Sequence, residues 1–404
     1  MLSSRAAFVL GVATLASALT FAQGPARQGG GGGRGRGVPV QPGEECPPGT
    51  TLVRVGSCQA PEFPPPSIVD YRPKTSLVAG QHPVPKARFP VVDIHSHTGP
   101  TPETVKTLVA EMDALNIRVL NNLSGGFGET LKQRVDFIKS TPYADRFTVF
   151  ANGLNAFRDV GPGYGLKAAA QLETDVKNGA IGLKIFKETG MDTKKADGTR
   201  LQITDPELAP LWDMAGRLNI PVIIHTGEPP EFFKPLDMHN ERWLELSLFP
   251  DRRRYLVPVS WETLSAERDE LFRKHPKTRF IVAHFGWHAN DLARAGKLLD
   301  ANPNIVLELA AILYDLGRTP RAANEFFVKY QDRILFGKDT YAPTEFPYYW
   351  RVLETNDEYF DYYRDYHAFW KLYGMGLPDN VLRKVYYQNA LRVTPGLPKN
   401  GWPR

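Results

Sequence analysis

The chain has only two cysteines in 404 residues, Cys46 and Cys58, both near its N-terminus. Eleven residues separate them, and no third cysteine is present. Neither a CxxC redox motif nor a cysteine-based zinc site can be built from them. In an oxidising compartment the pair is expected to form a structural disulfide around a small loop holding Pro47, Pro48 and Gly49. Long apolar runs are equally scarce. After residue 22 none is long and uninterrupted enough to cross a bilayer. Excess charge of one sign is also missing: 49 Lys and Arg against 44 Asp and Glu leave +5. The basic residues do not gather into a stripe, which argues against a nucleic-acid surface. What is present, 42% apolar and 23% charged residues, is the composition of a globular protein with a sizeable core.

Residues 1–22 read as a secretory signal peptide. Arg5 supplies the positive charge, Ala6 to Ala22 form the apolar run, and the small Thr20 and Ala22 suit the −3 and −1 positions of a cleavage site. No twin arginine precedes the run and no cysteine follows it to accept lipid. An uncleaved anchor is the alternative, for which 17 apolar residues reach only the lower limit of a span. The mature protein is therefore expected to be exported, periplasmic or secreted, with no membrane association. Residues 23–37 form a Gly/Arg-rich flexible linker. Residues 38–88 form a proline-rich arm carrying the two cysteines, extended over the next domain or serving as a disordered spacer. Residues 89–404 form the main domain.

After Pro90 a regular pattern begins. Apolar, mostly β-branched runs at Val91–His95, Ile117–Asn121, Thr148–Asn152, Ile181–Phe186, Pro221–His225, Phe280–His284, Ile305–Leu309 and Ile334–Gly337 predict eight short buried strands. Helical segments lie between them, such as Pro102–Leu115, Gly165–Asn178, Pro206–Leu218, Ser265–His275 and Ala289–Ala301. One opens with Thr204-Asp205-Pro206 and Glu207, a start signal. Alternating strand and helix predicts α/β architecture with parallel βα units, and eight units closing on themselves make a (β/α)8 TIM barrel. A doubly wound open sheet is the alternative, but it would keep the first and last strands apart. Two excursions exceed the minimal unit. Glu228–Trp261 carries Arg252, Arg253 and Arg254 and is placed to shape a pocket. Tyr341–Gly374 has thirteen Tyr, Phe or Trp among 34 residues, with six acidic and three basic residues. That charge balance disfavours base stacking, so this aromatic-rich C-terminal extension is expected to pack over the barrel, some rings lining the pocket.

Chemistry-bearing residues recur at the strand ends. His95 and His97 are two apart in Asp93-Ile-His-Ser-His97, so on a strand their rings share one side, with Cα atoms ~6.6 Å apart. His225, His284 and Asp339 each close an apolar run beside a glycine corner, and Lys184 stands in the middle of its run. In a parallel barrel all strands deliver their carboxyl ends to one mouth, where such residues could meet around one metal ion.

This set, D-x-H-x-H at the first strand, lysine at the fourth, histidines at the fifth and sixth, and aspartate at the eighth, resembles the metal-dependent amidohydrolase superfamily. The likeness is closest to its branch of amidohydrolase-related hydrolases and decarboxylases, and it spans about Phe89–Arg392. It implies one or two divalent ions at the mouth. In mononuclear members the ligands would be His95, His97, His225 and Asp339, with His284 polarising the substrate or moving a proton. In binuclear members a carboxylated lysine bridges two ions, and His284 becomes a ligand. Lys184 fits that lysine better than Lys187, which remains an alternative. Lys184 could equally be an unmodified lysine facing the substrate.

Imidazole and carboxylate suit Zn2+, with Mn2+, Fe2+ or Ni2+ as alternatives. Such an ion lowers the pKa of bound water from 15.7 to ~7. Asp339 would then accept the water's proton. Asp93 and Lys187 are assigned to support behind the ligands, and Glu228, Glu308 and His288 to the substrate. For both glutamates a structural salt bridge is the competing use. His82, His239, His275 and His367 receive no role. The leading reading is an exported metal-dependent hydrolase of a C–N or C–O bond in a small amide, cyclic amide, lactone or ester. The alternative is a non-oxidative decarboxylase of carboxylated aromatic or unsaturated acids, and a third reading is an inactive envelope binding protein. The partner is a small molecule, and the oligomeric state is left open.

Overall fold

A proline-rich segment with one disulfide can bury little apolar surface, and the first unit of the chain shows it. The computed structural model describes residues 37–64, 66–156, 160–367 and 369–403. The expected signal peptide over 1–22, and the expected linker apart from Gly37, lie outside the described residues. The chain divides into two units between Tyr71 and Arg72. In the first, strands β1 (Val38–Pro39), β2 (Thr51–Arg54) and β3 (Ser57–Gln59) form an antiparallel sheet in the order β1-β3-β2. Cys46 and Cys58 are disulfide-bonded with Cα atoms 5.7 Å apart. Cys58 is the one buried apolar residue of this unit among the described residues, and β2 is exposed along its length.

The second unit begins earlier than the boundary expected at Phe89. The His82 N–H donates to Asp357 at 2.7 Å, the Arg88 N–H to Glu354 at 3.0 Å, and the Arg88 guanidinium to Asp379 at 2.7 Å. Proline content reported the local conformation of this stretch, not what it packs against.

All eight apolar runs become strands: β4 (Val91–Ser96), β5 (Ile117–Asn122), β6 (Phe147–Val149), β7 (Leu183–Ile185), β8 (Val222–Ile224), β9 (Phe280–Val282), β10 (Ile305–Glu308) and β11 (Ile334–Leu335). They form two parallel sheets, β4-β5-β6 and β7-β8-β9-β10-β11. Single bridges join the sheet edges. Ala151 pairs with Leu183, where the Ala151 N–H donates to Gly182 O at 2.8 Å and the Lys184 N–H to Ala151 O at 2.9 Å. Ser96 pairs with Asp339, where the Asp339 N–H donates to His95 O at 2.7 Å. Gly182 is required at its junction, because a Cβ there would lie 2.5 Å from the Phe150 ring.

The intervening helices are α1 (Val105–Leu115), α2 (Gly128–Ser140), α3 (Tyr164–Lys177), the single turn α4 (Glu188–Met191), α5 (Ala209–Arg217), α6 (Trp243–Leu248), α7 (Trp261–Lys274), α8 (Leu292–Ala301), α9 (Leu313–Arg318), α10 (Pro320–Lys329) and α11 (Phe346–Glu354). The start signal before α5 works as read: the Asp205 carboxylate accepts the Glu207 N–H at 3.0 Å, with Pro206 at the first helical position. That helix then turns Leu211, Trp212 and Ala215 into the core, each fully buried, at ~1.5–3 kcal/mol for a large apolar side chain. Phe346, Tyr349 and Trp350 of α11 are also fully buried, and Trp350 packs 4.9 Å from the Phe336 ring beyond β11. Much of the aromatic excess is therefore core. Among the described residues no helix is long and apolar enough to cross a membrane.

Candidate metal centre

Chain direction at two strand ends sets the site. Immediately after β9, His284, Phe285, Gly286 and Trp287 all take left-handed backbone angles, with φ between 54° and 61°. Left-handed residues with a Cβ cost roughly 1–2 kcal/mol each, so something must hold the turn. Arg268 of α7, fully buried, donates to Gly286 O at 3.0 Å. The Trp287 ring stacks on the His284 imidazole at 4.5 Å and 17°. Asp339, beyond β11, is likewise left-handed at φ 82°. Gly337 beside it makes room for the site: a Cβ there would lie 2.5 Å from Glu308 Oε2 and 2.8 Å from His95 Cβ.

Hydrogen bonds then fix the tautomers. His95 Nδ1 lies 2.8 Å from Glu308 Oε1 and donates to it, so Nε2 carries the lone pair. That Nε2 is 3.6 Å from Asp339 Oδ1 and 3.4 Å from Lys184 Nζ. His97 Nδ1 lies 2.8 Å from Ser124 Oγ, and its Nε2 is 3.4 Å from the same Asp339 oxygen. His284 Nδ1 donates to Ala310 O at 2.8 Å, which leaves its Nε2 to accept from His225 Nδ1 at 3.3 Å. His225 Nε2 then holds a lone pair, is buried, and has no partner among the described residues. An orphaned nitrogen beside a second histidine fits a metal ligand. Ligand atoms of His95, His97 and Asp339 all lie within 4.8 Å of one another, as do those of His95, His284 and Glu308. His225 joins this set through His284. The donor set suits a divalent metal.

Burial sets the charges. It drives His95 and His225 well below the usual imidazole pKa, and with the charge of His95 it takes His284 down to about 4. All three rings are neutral at pH 7, the state a metal requires. Burial opposes ionisation of Asp339, but the hydrogen bond with His97 and the polar imidazoles around it outweigh burial. Asp339 is held well below the ordinary carboxylate range. Burial lowers the Lys184 amine to about 8 against the pull of Asp339 and Glu308.

The other expected residues are placed differently from one another. Glu308, assigned to the substrate from sequence, lies fully buried beneath the histidines. Its Oε1 takes His95 Nδ1 and the His284 N–H (2.7 Å), and its Oε2 the Ala310 N–H (2.7 Å). Asp93 Oδ1 accepts the N–H groups of His95 (3.2 Å) and Lys338 (3.1 Å), so it holds backbone, and burial raises its pKa to about 8. Lys187 and Glu228 pair with each other, Glu228 also meeting Arg254 at 3.3 Å. His288 turns to the Arg268 guanidinium at 3.1 Å. These last three are not among the converging donors. Ser124, Trp287 and Arg268 were missed. Ser124 lies at a glycine-rich corner after β5, the same signal as the other strand ends, whereas a helical arginine carries none.

No curated protein matches the chain. Among solved structures the chain is similar to a putative amidohydrolase from Staphylococcus aureus, at 15% identity over 76% of this chain and 99% of that one, TM-score 0.46. It is similar also to a dihydroxybenzoic acid decarboxylase from Polaromonas sp. with bound manganese and an inhibitor, at 14% identity over 76% and 97%, TM-score 0.48. A third is 4-oxalomesaconate hydratase from Rhodopseudomonas palustris, at 15% identity over 76% and 96%, TM-score 0.44. The model of one family, described as amidohydrolase, matches residues 125–395, and this chain belongs to that family, within the metal-dependent amidohydrolase superfamily.

Proposed function

We propose that this chain is an exported metal-dependent hydrolase, built on a (β/α)8 barrel closed through the Ala151–Leu183 and Ser96–Asp339 bridges, that cleaves a C–N or C–O bond of a small molecule. The observation that carries the reading is the meeting of His95 Nε2 and His97 Nε2 on one Asp339 oxygen, at 3.6 and 3.4 Å. His95, His97, His225 and Asp339 would hold one divalent ion, with Zn2+ proposed on the ligand types. A second ion would call on His284 and on Lys184 as its carbamate. When bound, the ion supplies a Lewis acid and lowers the pKa of water.

The chain's own groups do the rest. Asp339, kept ionised, takes the proton from the attacking water. His284, kept neutral, takes its hydrogen bond from His225 and so fixes that ring. Glu308 fixes His95 in the same way from below. Lys184, buried and 3.4 Å from His95 Nε2, places an amine against the reacting group. The Cys46–Cys58 disulfide supports export. The proposal is tested by turnover of a panel of amides, lactones, esters and carboxylated aromatic acids in water enriched in 18O. One solvent oxygen entering the acid product of each turnover and none entering the amine or alcohol released, with loss of turnover in Asp339→Asn, are expected. Carbon dioxide released with no solvent oxygen incorporated would replace hydrolysis with decarboxylation. Lys184→Ala then counts the ions: a fall from two to one identifies the carbamate, and an unchanged count the free amine.

A further inference from the structure

Asp339 stands where the sheet stops helping it. Its φ of 82° is disfavoured for a residue with a Cβ, and its short side chain has little reach, so the backbone must place the carboxylate. Ladder contacts hold the near side. The Lys338 N–H donates to Asp93 Oδ1 at 3.1 Å and the Asp339 N–H to His95 O at 2.7 Å. The ladder ends with the single Ser96–Asp339 bridge. Past that point a side chain takes over. The Lys338 ammonium folds forward over Asp339 and donates to Thr340 O at 2.7 Å. One residue thus grips the backbone on both sides of the aspartate.

The grip depends on the aromatic-rich extension. Lys338 is 2% exposed, and a buried ammonium is costly unless it is paired and hydrogen-bonded. Its counter-ion is Glu345, at the end of the single turn Pro343–Glu345 that leads into α11. Its other neighbours are aromatic faces of the same extension: Phe346 at 5.6 Å, Tyr349 at 5.9 Å and Tyr363 at 5.8 Å, within the range of cation–π attraction. Phe346 and Tyr349 are fully buried. Undocking the extension would therefore strip Lys338 of its partners and leave the far side of Asp339 unheld.

We propose that Lys338 is the positioning residue of Asp339, and that through Glu345 it couples the aromatic-rich extension to the metal centre. Docking of the extension sets the aspartate, and metal held by the aspartate in turn stabilises the docked extension, since such coupling is reciprocal. The inference rests on the metal-enzyme reading above and carries it beyond the ligands. Lys338 itself meets neither metal nor substrate, because its ammonium is spent on Thr340 and Glu345.

The test pairs Lys338→Met, which keeps the apolar stem and removes the charge, with Glu345→Gln, both in the full chain. Chelator competition with Zn2+ should show binding ~10–100-fold weaker in Lys338→Met. Glu345→Gln should also weaken it, and the double variant should be no worse than Lys338→Met, because both changes cut one link. Hydrogen exchange of the metal-free chain should quicken over residues 336–363 in both variants and stay unchanged over β7 to β9. Zn2+ should slow exchange over residues 341–363 in the wild type and not in Lys338→Met. Wild-type Zn2+ affinity in Lys338→Met, even with a lower melting temperature, would make the lysine a structural pair only and overturn the proposal. Additive losses in the double variant would overturn the link through Glu345. If the wild type binds no Zn2+, the metal reading fails and exchange over residues 336–340 decides alone: faster in Lys338→Met supports the positioning of Asp339, equal overturns it. If Lys338→Met does not fold, Glu345→Gln decides in its place.

Discussion

Glu308 offers the sharpest perturbation, because one fully buried carboxylate serves three donors that all belong to the site. Oε1 accepts His95 Nδ1 at 2.8 Å and the His284 N–H at 2.7 Å, and Oε2 accepts the Ala310 N–H at 2.7 Å. Glu308→Gln keeps the volume and converts one oxygen into a donor. With the new NH2 at the Oε1 position, two donors lose their acceptor. The amide therefore settles with NH2 toward Ala310, leaving that N–H unpaired at ~1–3 kcal/mol. His95 keeps its bond, but to a neutral acceptor, which is roughly half as strong as a charged one. Its Nε2 becomes a poorer donor to a cation, so divalent-metal affinity should fall ~10–100-fold, about 1.4–2.7 kcal/mol. Competition with a chromophoric chelator reads the affinity, and thermal melting of the chelated protein reads the stability. A Glu308→Gln chain that matches the wild type in both would refute the assignment of Glu308 to His95.

Other outcomes follow from the same structure. Gly286→Ala puts a Cβ at φ 61° and 2.5 Å from the Arg268 guanidinium, so it should cost ~1–3 kcal/mol, read as a lower melting temperature; an unchanged melt would mean the left-handed turn is not under constraint. Asp357→Asn should lower stability by ~2–3 kcal/mol at neutral pH, since Asp357 takes the His82 N–H and Arg351 Nε, each at 2.7 Å. Burial opposes the ionised form, but His82 and Arg351 hold the Asp357 pKa below its usual value. Stability from this group is thus fully present above about pH 4 and is lost as pH falls through the lower folded value. The gap between wild type and Asp357→Asn in denaturant titrations should close on acidification; a gap that widens would contradict the pairing. Replacing Cys46 and Cys58 with serine should remove ~2–4 kcal/mol of local constraint, seen as faster proteolysis of the first unit, with metal content unchanged.

Strand positions were readable because strands buried on both faces leave nearly continuous β-branched runs, and corner glycines such as Gly125, Gly227, Gly286 and Gly337 mark where several of them stop. Lys184, in mid-strand, lies 3.4 Å from His95 Nε2, and Lys187, past the strand end, pairs with Glu228. A mid-strand side chain is committed to one face, whereas a residue past the strand end is free to find Glu228. The left-handed turn after β9 was not readable. Only Gly286 announces positive φ, while Phe285 and Trp287 are residues that normally avoid it. Arg268 was hidden because its helix reads as a charged outer surface, although its guanidinium is fully buried under the turn. Glu308 was seen but given to the substrate, since strand periodicity tells which side a residue faces and not whether its oxygens are already spent. The boundary at Tyr71 and Arg72 was obscured in a similar way, because proline sets local conformation while packing against Glu354, Asp357 and Asp379 is long-range.

The account depends on a cation held by residues from strands far apart in sequence. Elemental analysis of the purified full chain, beside its His95→Ala variant, tests this most directly. At least one equivalent of divalent metal in the wild type is expected, with loss of that metal in a variant that keeps its far-ultraviolet circular dichroism. A folded, active wild type without metal, or an undiminished metal content in His95→Ala, would contradict it.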